Sequence, residues 1–305
     1  MKHIVAVSEF ERSWVDHLFD ETDLMQHVHA SDAVLRDKIL ATLFYEPSTR
    51  TRLSFESAML RLGGQVISTE NAREFSSAIK GETVEDTIRI VSGYADCIVI
   101  RHHEQGAAKR AAAISPVPII NGGDGPGEHP TQALLDLYTI RKELGRLDGL
   151  KVALVGDLRF GRAARSLALM FRETIDTELI FVSPSAVPMG QDVRDALDAA
   201  SVAFRDEPDL TVAMAIADVV YQTRIQRERF PTPEEYAAAQ GIYVITPETM
   251  RHLNAKGILI HPLPRVDEIS PDVDSDPRAA YFRQAQYGVY VRMALLKEVL
   301  ADHTN

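Results

Sequence analysis

The chain has 305 residues, 45% of them hydrophobic, with 33 basic against 44 acidic side chains and a net charge of -11. That length and apolar content suit two globular domains, and the acidic balance argues against an extended basic face for nucleic acid. No apolar run is long enough to span a bilayer, and Met1-Lys2-His3-Ile4 passes through Ser8 and Glu9 without a secretory core, so a cytoplasmic location is expected. A single cysteine, Cys97 in the apolar run Cys97-Ile98-Val99-Ile100, excludes an internal disulfide and a cysteine-built zinc site.

In chain order, strand-like apolar runs fall at 39–45, 97–100, 118–121, 151–155, 179–183, 219–222 and 257–261, with helical patterns between them. This alternation predicts an α/β protein of two domains, each a parallel sheet flanked by helices. After the first run, Leu53, Phe55, Met59 and Leu62 keep helical spacing until Gly63-Gly64. A second helix is expected over 131–145, ending at Gly145, and a last one over 288–300, with Val291, Ala294, Leu295 and Val299 on one face. The expected division is 1–133, joined by a C-terminal helix within 288–305, against 134–287.

In open α/β sheets ligands bind beyond the carboxyl ends of strands. The residues there are polar and repeatedly cationic. Glu46-Pro47-Ser48-Thr49-Arg50-Thr51-Arg52 follows the first strand and opens a helix, whose first N-H groups, hydroxyls and arginine fork suit an anion. Alone, this segment is equally compatible with an ordinary capped helix flanked by exposed arginines. Arg101-His102-His103, Asn121-Gly122-Gly123-Asp124, His129-Pro130-Thr131-Gln132, Thr223-Arg224-Ile225-Gln226 and His261-Pro262-Leu263-Pro264-Arg265 follow other strands. Together they predict a cationic cleft for a small, multiply charged substrate.

Gly156 to Arg162 has the outline of a phosphate loop, but Arg162 and Ala163 stand where a P-loop needs Lys and Ser or Thr. Leu158 stands where a dinucleotide fingerprint needs glycine. Arg162 is read instead as a clamp for a carboxylate or phosphate. His27, His29, His102 and His103 lack a third ligand at metal spacing, so no metal is expected. His129, after a glycine-rich loop, either donates to a substrate carbonyl or simply caps the helix.

The ordered set Ser48-Thr49-Arg50-Thr51-Arg52, Lys80-Gly81-Glu82, Arg101-His102, His129-Pro130-Thr131-Gln132, Gly161-Arg162, Thr223-Arg224-Ile225-Gln226 and His261-Pro262-Leu263-Pro264-Arg265 resembles the aspartate carbamoyltransferase family over nearly the whole chain. Ornithine carbamoyltransferases share the first marker but typically carry His-Pro-Cys-Gln and His-Cys-Leu-Pro in the fourth and last. The resemblance implies transfer of a carbamoyl group from carbamoyl phosphate to aspartate in pyrimidine synthesis, without a cofactor. It implies an N-terminal carbamoyl phosphate domain, a C-terminal aspartate domain, and a homotrimer with active sites shared between subunits. A regulatory chain or dihydroorotase is a possible further partner in that family.

By the same resemblance Ser48, Thr49, Arg50, Thr51 and Arg101 hold the phosphate. Thr51, Arg101 and His129 contact the carbamoyl oxygen, while Gln132 and the carbonyls of Pro262 and Leu263 take the carbamoyl amide. Arg162, Arg224, Gln226 and Lys80 take the aspartate carboxylates, with Ser76 and Lys80 arriving from the neighbouring subunit. Two positions depart from the family pattern: Ala163, where Thr is frequent, is expected to weaken aspartate binding, and Gln222, where bulkier apolar residues are frequent, to alter loop packing. Glu46 is expected to pair with Arg162 or Arg229 and hold the domains closed around substrate.

Overall fold

The computed structural model describes residues 3–70, 81–227, 230 and 232–300. Ser76, Lys80 and Arg229 lie outside that set. The chain divides into two compact units, residues 1–134 with 287–305, and residues 135–286.

The first unit is built on β1 (Ile39–Phe44), β2 (Gln65–Glu70), β3 (Cys97–His102) and β4 (Ile119–Asp124), in the order β2-β1-β3-β4 and parallel throughout. Helices α1 (Arg12–Met25), α2 (Thr49–Arg61), α3 (Val84–Val91) and α4 (Ala107–Ile114) accompany it. Helix α5 (Pro130–Leu144) carries the chain across the division. The second unit holds β5 (Lys151–Val155), β6 (Glu178–Val182), β7 (Ala203–Asp206), β8 (Val219–Gln222) and β9 (Ile258–Ile260), ordered β7-β6-β5-β8-β9 and again parallel. Its helices are α6 (Arg162–Met170), α7 (Gln191–Ala199), α8 (Leu210–Ile216) and α9 (Pro233–Ala239). Helix α10 (Tyr281–Leu300) returns the chain to the first unit.

Central strands are covered on both faces, so they read as near-continuous apolar runs: Leu40 to Phe44 (interrupted by Thr42), Cys97 to Ile100 and Val152 to Val155 are all buried. The strands that the apolar pattern misses are β2 and β7, one edge of each sheet, whose residues are exposed or half-buried and include Gln65, Ser68, Glu70, Arg205 and Asp206. An edge strand has one paired side only, and polar side chains there resist further pairing.

Two expected boundaries need correction. The last helix begins at Tyr281, not at 288, because the backbone runs through Gly288 without a break; Arg292 even donates to the Gly288 carbonyl (3.0 Å). Strand β4 continues through Asn121-Gly122-Gly123-Asp124, which the sequence reads as a loop. The Asn121 side chain stabilises this extension by accepting the Gly123 N-H (2.8 Å) and donating to the Val5 carbonyl (3.0 Å), where the β3–β4 register shifts.

Candidate active site

In the first unit, Ser48 takes the N-cap position of α2, yet its side chain makes no capping bond. The first helical hydrogen bond runs from the Arg52 N-H to the Ser48 carbonyl (3.1 Å), so the N-H groups of Thr49, Arg50 and Thr51 precede the ladder. Thr51 is buried, whereas Thr49 and Arg50 are exposed. The two arginines of this turn differ. Arg52 is bound to Glu70 (2.8 Å) and Glu56 (3.2 Å), in a knot that also holds Thr42 and Ser68. Among the described residues Arg50 has no ion-pair partner. Partial desolvation lowers its pKa despite the exposed surface, but a guanidinium stays charged at neutral pH.

Arg101, at the end of β3, is mostly buried. Its Nη1 donates to the Gly122 carbonyl (3.0 Å) and its Nη2 lies 3.6 Å from Glu46. The carbonyl of Arg101 accepts the Tyr45 N-H (2.8 Å), which ties this strand end to the loop before α2. Beside it, His102 packs edge-on to Tyr45 and stacks on His103. Burial, and then the charge of His103, push the His102 pKa down to about 4, so the ring is neutral and its Nδ1 accepts the Glu104 N-H (3.0 Å). The β4 turn closes tightly: Gly125 has φ 54°, and a Cβ there would fall 2.2 Å from the His103 carbonyl oxygen.

His129 is buried immediately before Pro130, the first residue of α5, and its carbonyl accepts the N-H groups of Gln132 and Ala133. Its Nδ1 lies 3.5 Å from the Thr131 hydroxyl. Gln132 is also buried.

In the second unit, β5 ends at Val155 and is followed by Gly156, whose φ of 110° lets the backbone pass where a Cβ would stand 2.4 Å from the Thr223 carbonyl oxygen. Thr223 is stitched to β5 by its N-H and hydroxyl, both donating to the Val155 carbonyl at 2.8 Å. Half-buried Arg224, Ile225 and Gln226 follow it, and half-buried Arg162 opens α6 after the N-cap Gly161. Ala163 is half-buried in the same turn. Gln222 is buried at the end of β8 and donates to the carbonyls of Thr223 (3.4 Å) and Tyr243 (3.3 Å).

Beyond β9, His261 is 1% exposed. Its Nδ1 accepts the Leu263 N-H (2.7 Å), which leaves the ring proton on Nε2, 2.8 Å from Glu268. Glu268 Oε2 accepts the N-H groups of Val266 (3.1 Å) and Asp267 (3.2 Å). Burial pushes this carboxyl up, but the His261 ring and backbone donors outweigh it and hold it below its ordinary range. Gln284 takes the His261 N-H (2.9 Å) and donates to Asp136 (2.5 Å), which also accepts the Tyr221 hydroxyl (2.7 Å). Arg265 is held by Asp274 (2.7 Å) and Tyr281 (3.0 Å).

The structure thus gathers Ser48 to Thr51 with Arg101 in one unit, and aligns Arg162, the Arg224 to Gln226 loop and the Pro262-Leu263 turn at strand ends of the other. Sequence reading overlooked Glu268, Gln284, Asp136 and Tyr221. The acid seven residues after His261 is visible in the chain, but nothing local shows that it is buried.

Comparison with known proteins agrees with these two halves. Residues 2–142 match the carbamoyl-P binding domain of aspartate/ornithine carbamoyltransferase, and residues 148–299 match the Asp/Orn binding domain. The chloroplastic aspartate carbamoyltransferase of Arabidopsis thaliana is 54% identical over 98% of this chain and 78% of its own length. The solved catalytic subunit of Methanocaldococcus jannaschii aspartate transcarbamoylase is 48% identical and superposes with a TM-score of 0.91, covering 99% of both chains. The Trypanosoma cruzi aspartate transcarbamoylase, solved in complex with carbamoyl phosphate and aspartate, is 41% identical with a TM-score of 0.90 over 98% of this chain and 96% of that one. With matches to both domain models and relatives of this similarity along its length, the chain belongs to the aspartate/ornithine carbamoyltransferase family, and within it to the aspartate carbamoyltransferases.

Proposed function

We propose that this enzyme transfers the carbamoyl group of carbamoyl phosphate to the amino group of L-aspartate, releasing N-carbamoyl-L-aspartate and phosphate, as a step of pyrimidine synthesis. The observation that carries the reading is the first turn of α2: an uncapped helix start with an arginine that no described acid neutralises. Such a turn offers backbone donors, hydroxyls and a fixed positive charge to a phosphate. Ser48, Thr49, Arg50, Thr51 and Arg101 hold the phosphoryl group.

The amine attacks the carbamoyl carbon, the carbonyl oxygen gathers negative charge, and the C–O bond to phosphate then breaks. Thr51, Arg101 and His129 stabilise that oxygen. Gln132 and the carbonyls of Pro262 and Leu263 hold the carbamoyl amide, and Arg162, Arg224 and Gln226 bind the aspartate carboxylates. Orientation and electrostatic stabilisation suffice for this chemistry. The departing phosphate takes the proton lost by the amine.

Ser76 and Lys80 enter the site from a neighbouring subunit of a homotrimer, Lys80 toward the aspartate carboxylates. A cytoplasmic location, and association with a regulatory chain or dihydroorotase, belong to the same proposal; among the described residues no helix is long and apolar enough to cross a membrane.

The test is phosphate release from carbamoyl phosphate by the purified chain with aspartate, with ornithine and without acceptor, the product being identified by mass. Aspartate-dependent carbamoyl-aspartate is expected. Turnover with ornithine alone would overturn the acceptor assignment.

A further inference from the structure

We propose that His261 and Glu268 are positioning residues that aim the Pro262 carbonyl, and thereby let the enzyme tell a carbamoyl phosphate from an acyl phosphate lacking the amide. This deepens the carbamoyl transfer reading and rests on its assignment of the Pro262 and Leu263 carbonyls to the carbamoyl NH₂.

The Pro262–Leu263 bond is trans, since the cis bond of this turn is the next one, Leu263–Pro264. In a planar trans peptide the N-H and the preceding C=O point in opposite directions. The Leu263 N-H donates to His261 Nδ1 at 2.7 Å, so the ring sets the direction of the Pro262 carbonyl, which faces away from it.

The ring can accept only while its proton stays on Nε2, and Glu268 holds it there at 2.8 Å. Glu268 in turn is fixed by the N-H groups of Val266 and Asp267, within the same turn. From the other side, Gln284 takes the backbone N-H of His261 and is anchored on Asp136. Both side chains of the pair are nearly sealed from solvent, His261 at 1% and Glu268 at 6%. Between His261 and Glu268 the loop therefore closes on itself through the imidazole and the carboxylate, a costly arrangement to bury for a plain surface turn.

A carbonyl aimed at an NH₂ group discriminates against a methyl group, because the methyl would leave the acceptor unpaired. Phosphate alone does not use this contact. The prediction is therefore selective: a loosened pair weakens binding of carbamoyl phosphate, leaves inorganic phosphate unaffected, and narrows the preference for carbamoyl over acetyl phosphate.

The experiment compares His261→Gln with His261→Asn in the full-length protein. Asn can place an oxygen near the Nδ1 position and keep the Leu263 N-H bonded, whereas Gln reaches toward Glu268 and abandons it. Calorimetry with carbamoyl phosphate, acetyl phosphate and inorganic phosphate gives the affinities, and thermal unfolding checks the fold. For His261→Gln, carbamoyl phosphate affinity is expected to fall about tenfold, the equivalent of one lost hydrogen bond, with phosphate affinity unchanged. His261→Asn is expected to lie closer to the parent. Equal losses for all three anions, or equal behaviour of the two variants, would overturn the positioning role and leave a structural one. Should His261→Gln fail to fold, Glu268→Ala, which keeps the ring but removes the acceptor of its Nε2-H, must show the same selective loss. A parent protein that binds no carbamoyl phosphate would refute the carbamoyl transfer reading itself and this inference with it; a parent that binds it with unaltered variants would refute only the inference.

Discussion

Arg52 Nη2 lies 2.8 Å from Glu70 Oε2, and this contact separates the tasks of two arginines only two positions apart in one helical turn. Arg52 joins α2 to the edge strand β2 through Glu56, Ser68 and Glu70, while Arg50 has no ion-pair partner among the described residues and is the arginine proposed above for the phosphate. Arg50→Ala is expected to lower kcat/KM by about 10²- to 10³-fold, the usual cost of a lost transition-state donor, with little change in melting temperature. Arg52→Ala is expected to cost about 1–2 kcal/mol of stability while the folded fraction retains activity. Steady-state kinetics and urea unfolding on the two variants check this division, and equal kinetic defects would refute it.

Glu268 predicts an acid sensitivity of definite sign. Its folded pKa is depressed, so the stability it contributes is full above its unfolded value, about 4.3, and is lost as pH falls through the lower folded value. Glu268→Gln has no such proton to gain. Urea midpoints measured at pH 7 and pH 3.5 are expected to fall less for Glu268→Gln than for the parent.

His102 acts in a different window. Burial lowers its folded pKa to about 4 against an unfolded value near 6.5, so the unfolded chain takes up the proton first. The folded state therefore loses stability as pH falls from about 6.5 toward 4. His102→Asn, which can still accept the Glu104 N-H, is expected to flatten the pH dependence over that range. An unchanged slope would show that His102 binds its proton equally well in the folded and unfolded chain.

Gly156 sets the path of the loop assigned to aspartate. Alanine there faces both a φ of 110° and the Thr223 carbonyl at 2.4 Å, so the backbone must move. Gly156→Ala is expected to raise KM for aspartate more than KM for carbamoyl phosphate, because Thr223 leads directly into Arg224 and Gln226. An equal rise in both would show a global rather than a local defect.

Much of this protein is legible in its sequence because the signals are local. Central strands such as Val152 to Val155 announce themselves, since a strand covered on both faces has no polar side to show. The markers from Ser48 to Arg52, and from His261 to Arg265, can be read as strand-end chemistry because strand ends are where α/β sheets bind ligands. What the sequence could not determine are the long-range pairings. Edge strands β2 and β7 become strands through partners, not through their own apolarity. Glu46 lies 3.6 Å from Arg101, 55 residues away along the chain, a pairing that no local pattern announces. Arg50 and Arg52 look alike in sequence, and only Glu56 and Glu70 around one of them decide which is structural. His261 becomes a positioning group only because folding buries Glu268 against it and brings Gln284 and Asp136 up behind it. Spacing along the chain reveals periodicity, but burial and hydrogen-bond partners depend on segments that meet only once the sheets have formed.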